Sequence, residues 1–153
     1  MICLRLIFLL APFVASAQHA DIVTVIAQKL VVKAGDIKNL KIGIKIKEGF
    51  HIQANKLEDK ALIPTTLIID ITNGIVPGKN KYPRAKKYKL EGTESFLDVY
   101  DGYIEIMVPV KATKEMKPGL YQLNAVLRYQ ACDAKRCFFP RSLALTISIE
   151  VMN

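Results

Sequence analysis

The sequence predicts an all-β chain, a single-domain immunoglobulin-like antiparallel β-sandwich, and three observations carry that expectation. Apolar residues recur at every second position in several segments. Turn-forming pairs fall between those segments at short intervals. No segment sustains a 3.6-residue apolar period with caps at its ends. Seven or so short strands at this spacing suit two sheets packed face to face.

The strands follow in order. The first candidate runs from Ile22 to Lys33. In LKIGIKIK, Leu40, Ile42, Ile44 and Ile46 point one way, and Lys41, Gly43, Lys45 and Lys47 the other. Phe50–Ala54, Thr66–Thr72 and Tyr103–Val110 are further candidates. The two clearest strands come last. Tyr121, Leu123, Ala125, Leu127 and Tyr129 share one face; Leu143, Leu145, Ile147, Ile149 and Val151 repeat the pattern. Between the strands lie Ala34-Gly35-Asp36, Glu48-Gly49, Asn73-Gly74, Pro77-Gly78, Asp101-Gly102 and Pro118-Gly119.

The chain has 153 residues, enough for one domain with its own core. It opens MICLRLIFLLAPFVASAQ, with Arg5 as a positive start, Leu6 to Val14 as an apolar run and Ala15-Ser16-Ala17 as a small-residue cleavage site. That run is shorter than the ~20 residues a membrane span needs, and no later stretch approaches it. The expectation is a signal peptide over residues 1–17 and an exported, non-spanning domain over 18–153. Cleavage removes Arg5 and Cys3 and leaves 21 Lys+Arg against 14 Asp+Glu, a net charge of +7. It also leaves two cysteines, in an oxidising compartment where disulfides persist.

The least regular stretch, Gly74 to Phe96, holds Lys79, Lys81, Arg84, Lys86, Lys87 and Lys89 with Tyr82, Pro83 and Tyr88 among them. Such a mixture suits nucleic acid in principle, but an exported protein rarely meets it, so no nucleic-acid partner is expected. The plain reading is a solvated connection between the two sheets. The alternative is an acidic partner, whose binding would weaken with salt.

Cys132 and Cys137 stand in YQACDAKRCFFP, with four residues between them. An extended chain would separate them by roughly 16–17 Å, whereas a disulfide needs Cα atoms about 4.4–6.8 Å apart. They meet only if residues 133–136 turn the chain back, as at the closed end of a hairpin. Strand parity puts Cys132 on a polar face and Cys137 on an apolar one. A register shift in the turn or at Pro140 is therefore expected. So small a ring stabilises by only about 2 kcal/mol, against about 4–5 kcal/mol for a ring of a hundred residues. Lys135 and Arg136 favour a thiolate at Cys137, while Asp133 opposes one at Cys132. Two readings stay open, a redox pair and a structural staple. Two thiolates lack the further ligands of a zinc site, and no phosphate loop or Ser/His/Asp grouping exists, so no metal or cofactor is expected. His51 reads either as a base for a thiol or, more plainly, as a half-buried strand residue.

YQACDAKRCFFP resembles the cysteine motif of the N-terminal periplasmic domain of the thiol:disulfide interchange protein DsbD. EGFHIQANK, LIPTTLII, Tyr82-Pro83 and VYDGYIEIMVPV follow the same family's order, and the likeness covers about residues 21–151. The resemblance implies an immunoglobulin-type sandwich that performs thiol–disulfide exchange in the periplasm, a thiol:disulfide oxidoreductase. It implies partners of disulfide-isomerase type or thioredoxin-like proteins of cytochrome c maturation. By position, Cys137 forms the mixed disulfide and Cys132 resolves it. Phe96 matches a shielding aromatic loosely and reads at least as readily as core. Family members continue into a membrane segment and a thioredoxin domain. With the chain ending at Asn153, its electrons are expected from a separate membrane donor. The rival from another class is a non-catalytic binding or accessory module with the same cysteines as a staple.

Overall fold

The computed structural model describes residues 22–72, 74–92 and 94–153. The expected signal peptide with Arg5 and Cys3, and the turn residue Asn73, lie outside the described residues. Twelve strands form among the described residues, and no helix. The all-β expectation holds. One sheet joins β1 (Val23–Ala27), β3 (Ile37–Ile46), β9 (Tyr103–Ala112) and β6 (Ile75–Pro77) in that order, every pair antiparallel. The second joins β2 (Leu30–Lys33), β12 (Arg141–Met152), β10 (Gly119–Tyr129) and β5 (Thr66–Ile69).

The inward-facing residues of the two sheets make one core. Ile42, Ile44, Ile106 and Val108 from the first meet Leu123, Leu127, Ile147 and Ile149 from the second, all with next to no exposed surface. Alternation along each strand is the reason: the apolar residues at every second place turn to one face, and burying that face is what drives the two sheets together. The architecture is an immunoglobulin-like β-sandwich.

Two expectations need correction. Ile22–Lys33 is not one strand. The chain leaves the first sheet at Ala27 and enters the second at Leu30, where β2 pairs parallel to β12. Both halves, VTVIA and LVVK, are rich in β-branched residues and bury apolar side chains, so that only the short polar pair Gln28-Lys29 marks the change of sheet. The stretch 74–96 is not simply a connection either, since it holds β6 and β7 (Lys86–Lys89). β7 is an edge strand, where lysines serve to block further pairing. Lys87 reaches Asp98 at 3.0 Å and Lys89 reaches Glu94 at 3.2 Å, while Lys86 pairs with Asp101. Much of this basic surface is therefore answered by carboxylates of its own hairpin and the turn beyond it.

β7 belongs to a third, smaller sheet, ordered β11 (Ala131–Cys132), β4 (His51–Gln53), β8 (Phe96–Tyr100), β7. Its strands are extensions of the sandwich. β4 follows β3 through Gly49 (φ 79°), and β8 leads into β9 through Gly102 (φ 63°). Both glycines occupy the left-handed region that other residues enter at a cost. β11 follows β10 across Gln130. Strand ends from both main sheets thus converge on one small platform.

If the alternating face of β10 is core, Leu127→Ala should lower unfolding free energy by about 2–5 kcal/mol in urea titrations with an unchanged m value. A loss under about 1 kcal/mol would contradict the packing.

Candidate functional site

Cys132 and Cys137 are joined on this platform, with Cα atoms 3.9 Å apart, closer than the usual disulfide range. The local backbone explains how a five-residue separation closes. Asp133 N–H donates to the Arg136 carbonyl at 3.0 Å, and Phe138 N–H donates to the Ala131 carbonyl at 2.8 Å. These bonds flank the cysteines, which therefore occupy a non-hydrogen-bonded pair, the position where facing side chains come closest. Asp133 holds the turn: its Oδ1 accepts the backbone N–H of Lys135 and of Arg136, each at 2.8 Å. The same two bonds hold its carboxyl below the usual carboxylate range.

The expected register shift is present. Tyr129 pairs with Arg141, yet Ala131 lies opposite Phe138. One residue, Gln130, separates these pairs on the outgoing side and two, Phe139 and Pro140, on the return. The surplus residue is the signature of a β-bulge. It turns the cysteines to a common face and pushes Phe139 out, 92% exposed. Gln130 steadies the step by donating from Nε2 to the Phe138 carbonyl at 3.1 Å and accepting Ile63 N–H at 2.8 Å.

The two sulfurs differ in access, which sequence alone left open. Cys132 is fully buried and Cys137 only partly so. Around Cys137 the surface is aromatic and basic. Phe50 and Phe138 pack with centroids 6.1 Å apart, Lys47 lies over Phe50 at 5.9 Å and Arg136 over Phe138 at 5.3 Å.

Two further residues complete the platform: His51, read from the sequence as a base or a strand residue, and Gln53, which sequence reasoning misses. His51, opposite Cys132 in register, is buried to 3% exposure and not half-buried as expected; its ring stacks on Tyr88 at 4.1 Å. Its Nε2 has no hydrogen-bond partner. Gln53, two places along the same strand face, directs Nε2 at Cys132 Sγ (3.1 Å) and sits 3.6 Å from Cys137 Sγ. Its Oε1 is buried and unpartnered. The alternation in HIQ could have signalled that His51 and Gln53 share a face. Their approach to the cysteines depends on pairing between positions some eighty residues apart, which no local pattern carries.

Phe96 begins β8 and pairs with Lys89; at 61% exposure it is not core. The β7–β8 connection just before it reaches the disulfide ring, where Glu91 N–H donates to the Ala134 carbonyl at 3.0 Å. Among the described residues, no three His, Cys, Asp or Glu side chains gather as a metal site requires.

Burial pushes the His51 imidazole below its ordinary value of 6.5, with Asp101 and Asp133 pulling the other way. A base whose folded pKa is lowered contributes full stability above its unfolded value. That stability is lost as pH falls through 6.5 towards the folded value. Urea unfolding from pH 7.5 down to 5 should therefore show declining stability, and His51→Phe should flatten that part of the profile. An unchanged slope in the variant would assign the loss to other groups.

The chain matches the family model described as thiol:disulfide interchange protein DsbD, N-terminal, over residues 20–148. No curated protein matches it in sequence. Among solved structures, the N-terminal periplasmic domain of ScsB from Proteus mirabilis is similar with TM-score 0.55 at 12% identity, covering 82% of this chain and 44% of that one. The chain thus spans less than half of that ScsB chain, and the likeness concerns fold alone. The N-terminal domain of Neisseria meningitidis DsbD in its reduced form gives TM-score 0.48 at 17% identity, over 75% of this chain and 80% of that one. With a family model matched along most of its length, and a paired Cys132 and Cys137 in the fold, the chain belongs to the family of the DsbD N-terminal domain, a thiol–disulfide interchange domain.

Proposed function

We propose that the protein is an exported, periplasmic thiol:disulfide oxidoreductase that passes reducing equivalents to partner disulfides through Cys132 and Cys137. The observation that carries this reading is the asymmetry of the pair: a short ring with one buried sulfur and one reachable sulfur beside an exposed aromatic rim. The leader over residues 1–17 directs export, and residues 18–153 form the working domain. In the reduced protein the Cys137 thiolate attacks one sulfur of a partner disulfide. That S–S bond breaks, and the partner's other sulfur leaves as a thiolate and takes a proton. The Cys132 thiolate then attacks Cys137 Sγ and expels the second partner thiolate. Two electrons have passed to the partner and the Cys132–Cys137 bond has re-formed.

The partners are exported proteins of thioredoxin-like or disulfide-isomerase type, including those of cytochrome c maturation, and a separate membrane electron donor restores the dithiol. Phe139, Phe138 and Phe50, with Lys47 and Arg136, offer the contact face. The connection ending at Phe96 supplies the segment that shields the pair between encounters.

One observation favours a second reading, in which the bond is a staple within a binding module: Cys132 is wholly buried. Equilibration with glutathione or dithiothreitol buffers separates the two. A potential above about −250 mV supports exchange, and one below about −300 mV with inert thiols marks a staple. Cys132→Ser should accumulate a mixed disulfide with a partner, whereas Cys137→Ser should not. Losing both cysteines should cost at most about 2 kcal/mol of stability.

A further inference from the structure

The exchange reading leaves Gln53 without a role, and its surroundings are unusual. The side chain has no exposed surface, its amide nitrogen faces the Cys132 sulfur at 3.1 Å and its amide oxygen has no partner. A disulfide sulfur is a weak acceptor and carries no proton. The amide therefore uses one function poorly and the other not at all while the cysteines are joined.

Reduction changes both partners. A thiolate is a strong, charged acceptor, and a thiol brings an S–H donor. An amide has an N–H for the first and a carbonyl for the second. Cys132 is the sulfur that must become a thiolate in a buried place, where no water can stabilise the charge. It does so twice in each cycle, as the nucleophile that resolves the mixed disulfide and as the leaving group when a donor thiolate attacks Cys137. In the second step the donor–Cys137 bond forms, the Cys132–Cys137 bond breaks, and Cys132 Sγ departs with the electron pair.

We propose that Gln53 is a positioning residue for this chemistry, its side-chain N–H holding the Cys132 thiolate and its carbonyl accepting from the thiol, so that the reduced pair is favoured. The inference rests on the exchange reading for its purpose but not for its test. The other ionisable groups around the pair are His51 on β4, Tyr88 on β7, Asp101 just past β8, and Asp133, Lys135 and Arg136 in the ring. Of the two ring cations, Arg136 lies over Phe138 and 4.0 Å from Asp133.

The test uses the oxidised protein and dithiothreitol alone. Gln53→Met keeps the volume and removes donor and acceptor. Loss of one hydrogen bond to a charged sulfur should slow reduction by roughly ten- to a hundredfold. The equilibrium with glutathione should shift towards the disulfide, while urea stability of the oxidised form stays level or rises as the unpartnered amide oxygen is removed. A merely structural Gln53 would show the reverse: lower stability, with unchanged rate and equilibrium. A second measurement needs no variant. In ¹H–¹⁵N spectra of the reduced wild-type protein, the Gln53 side-chain amide signals should shift with the titration of Cys132. Unchanged rates in Gln53→Met, or amide signals indifferent to that titration, overturn the proposal. Inertness of the wild-type pair towards partner disulfides, with these effects intact, would instead sink the exchange reading.

Discussion

The mismatch of one residue between β10 and β12 governs the rest of the site. Over eleven paired positions the two strands stay in register, from Gly119 opposite Val151 to Tyr129 opposite Arg141. Past that point the return strand carries one residue more. Kept in step, the strands would have set Cys132 opposite Phe138, with Cys137 one place further into the turn. The bulge brings Cys137 opposite Cys132, in the closest kind of antiparallel pair. Pro140 suits the extruded position because it has no N–H to lose from a ladder. The same surplus drives Phe139 into solvent, so the exposed apolar rim and the closed ring have one cause.

The platform under the ring is assembled from both halves of the sandwich. Each main sheet delivers strand ends to it, by way of Gly49, Gly102 and Gln130. This converts distance in sequence into proximity: β4 and β8 bring His51, Gln53 and Asp101 to a pair of cysteines near the other end of the chain. The arrangement is rigid where it needs to be. Gln53 N–H donates to the Gln130 carbonyl at 3.0 Å, and the Gln53 carbonyl accepts from the buried Thr65 hydroxyl at 2.5 Å. The backbone that presents the amide to the sulfur is thereby held on both sides.

Much of this was legible in the sequence, for identifiable reasons. Strands that bury one face declare themselves by alternation, so β3, β9, β10 and β12 could be read directly. The ring could be read because geometry leaves two cysteines five apart few choices, and the register shift because parity demanded it. Three features could not. β7 is an edge strand built from lysines, with low intrinsic preference for strand, and its stability comes from β8 and Tyr88. The break between β1 and β2 is marked only by the polar pair Gln28-Lys29, too short to tell a change of sheet from an exposed spot within one strand. The places of His51 and Gln53 beside the disulfide rest on long-range pairing, which alternation within β4 does not encode.

The energetics of the platform bear on what the disulfide is for. As a staple, a ring this small adds about 2 kcal/mol. Beside it lie two buried polar atoms without partners, His51 Nε2 and Gln53 Oε1, each costing about 1–3 kcal/mol. A site selected for stability alone would line the disulfide with apolar side chains, which would remove that cost and keep the bond. Here the polar lining cancels what the bond contributes. Such a local conflict between a buried group and its surroundings is expected where chemistry rather than packing sets the residues. The cost falls on the oxidised state in particular, since only reduction supplies the S–H and thiolate that an amide can use. On the proposed exchange, a disulfide whose neighbours are better satisfied once it is broken would suit a domain that must be reduced again after each turnover.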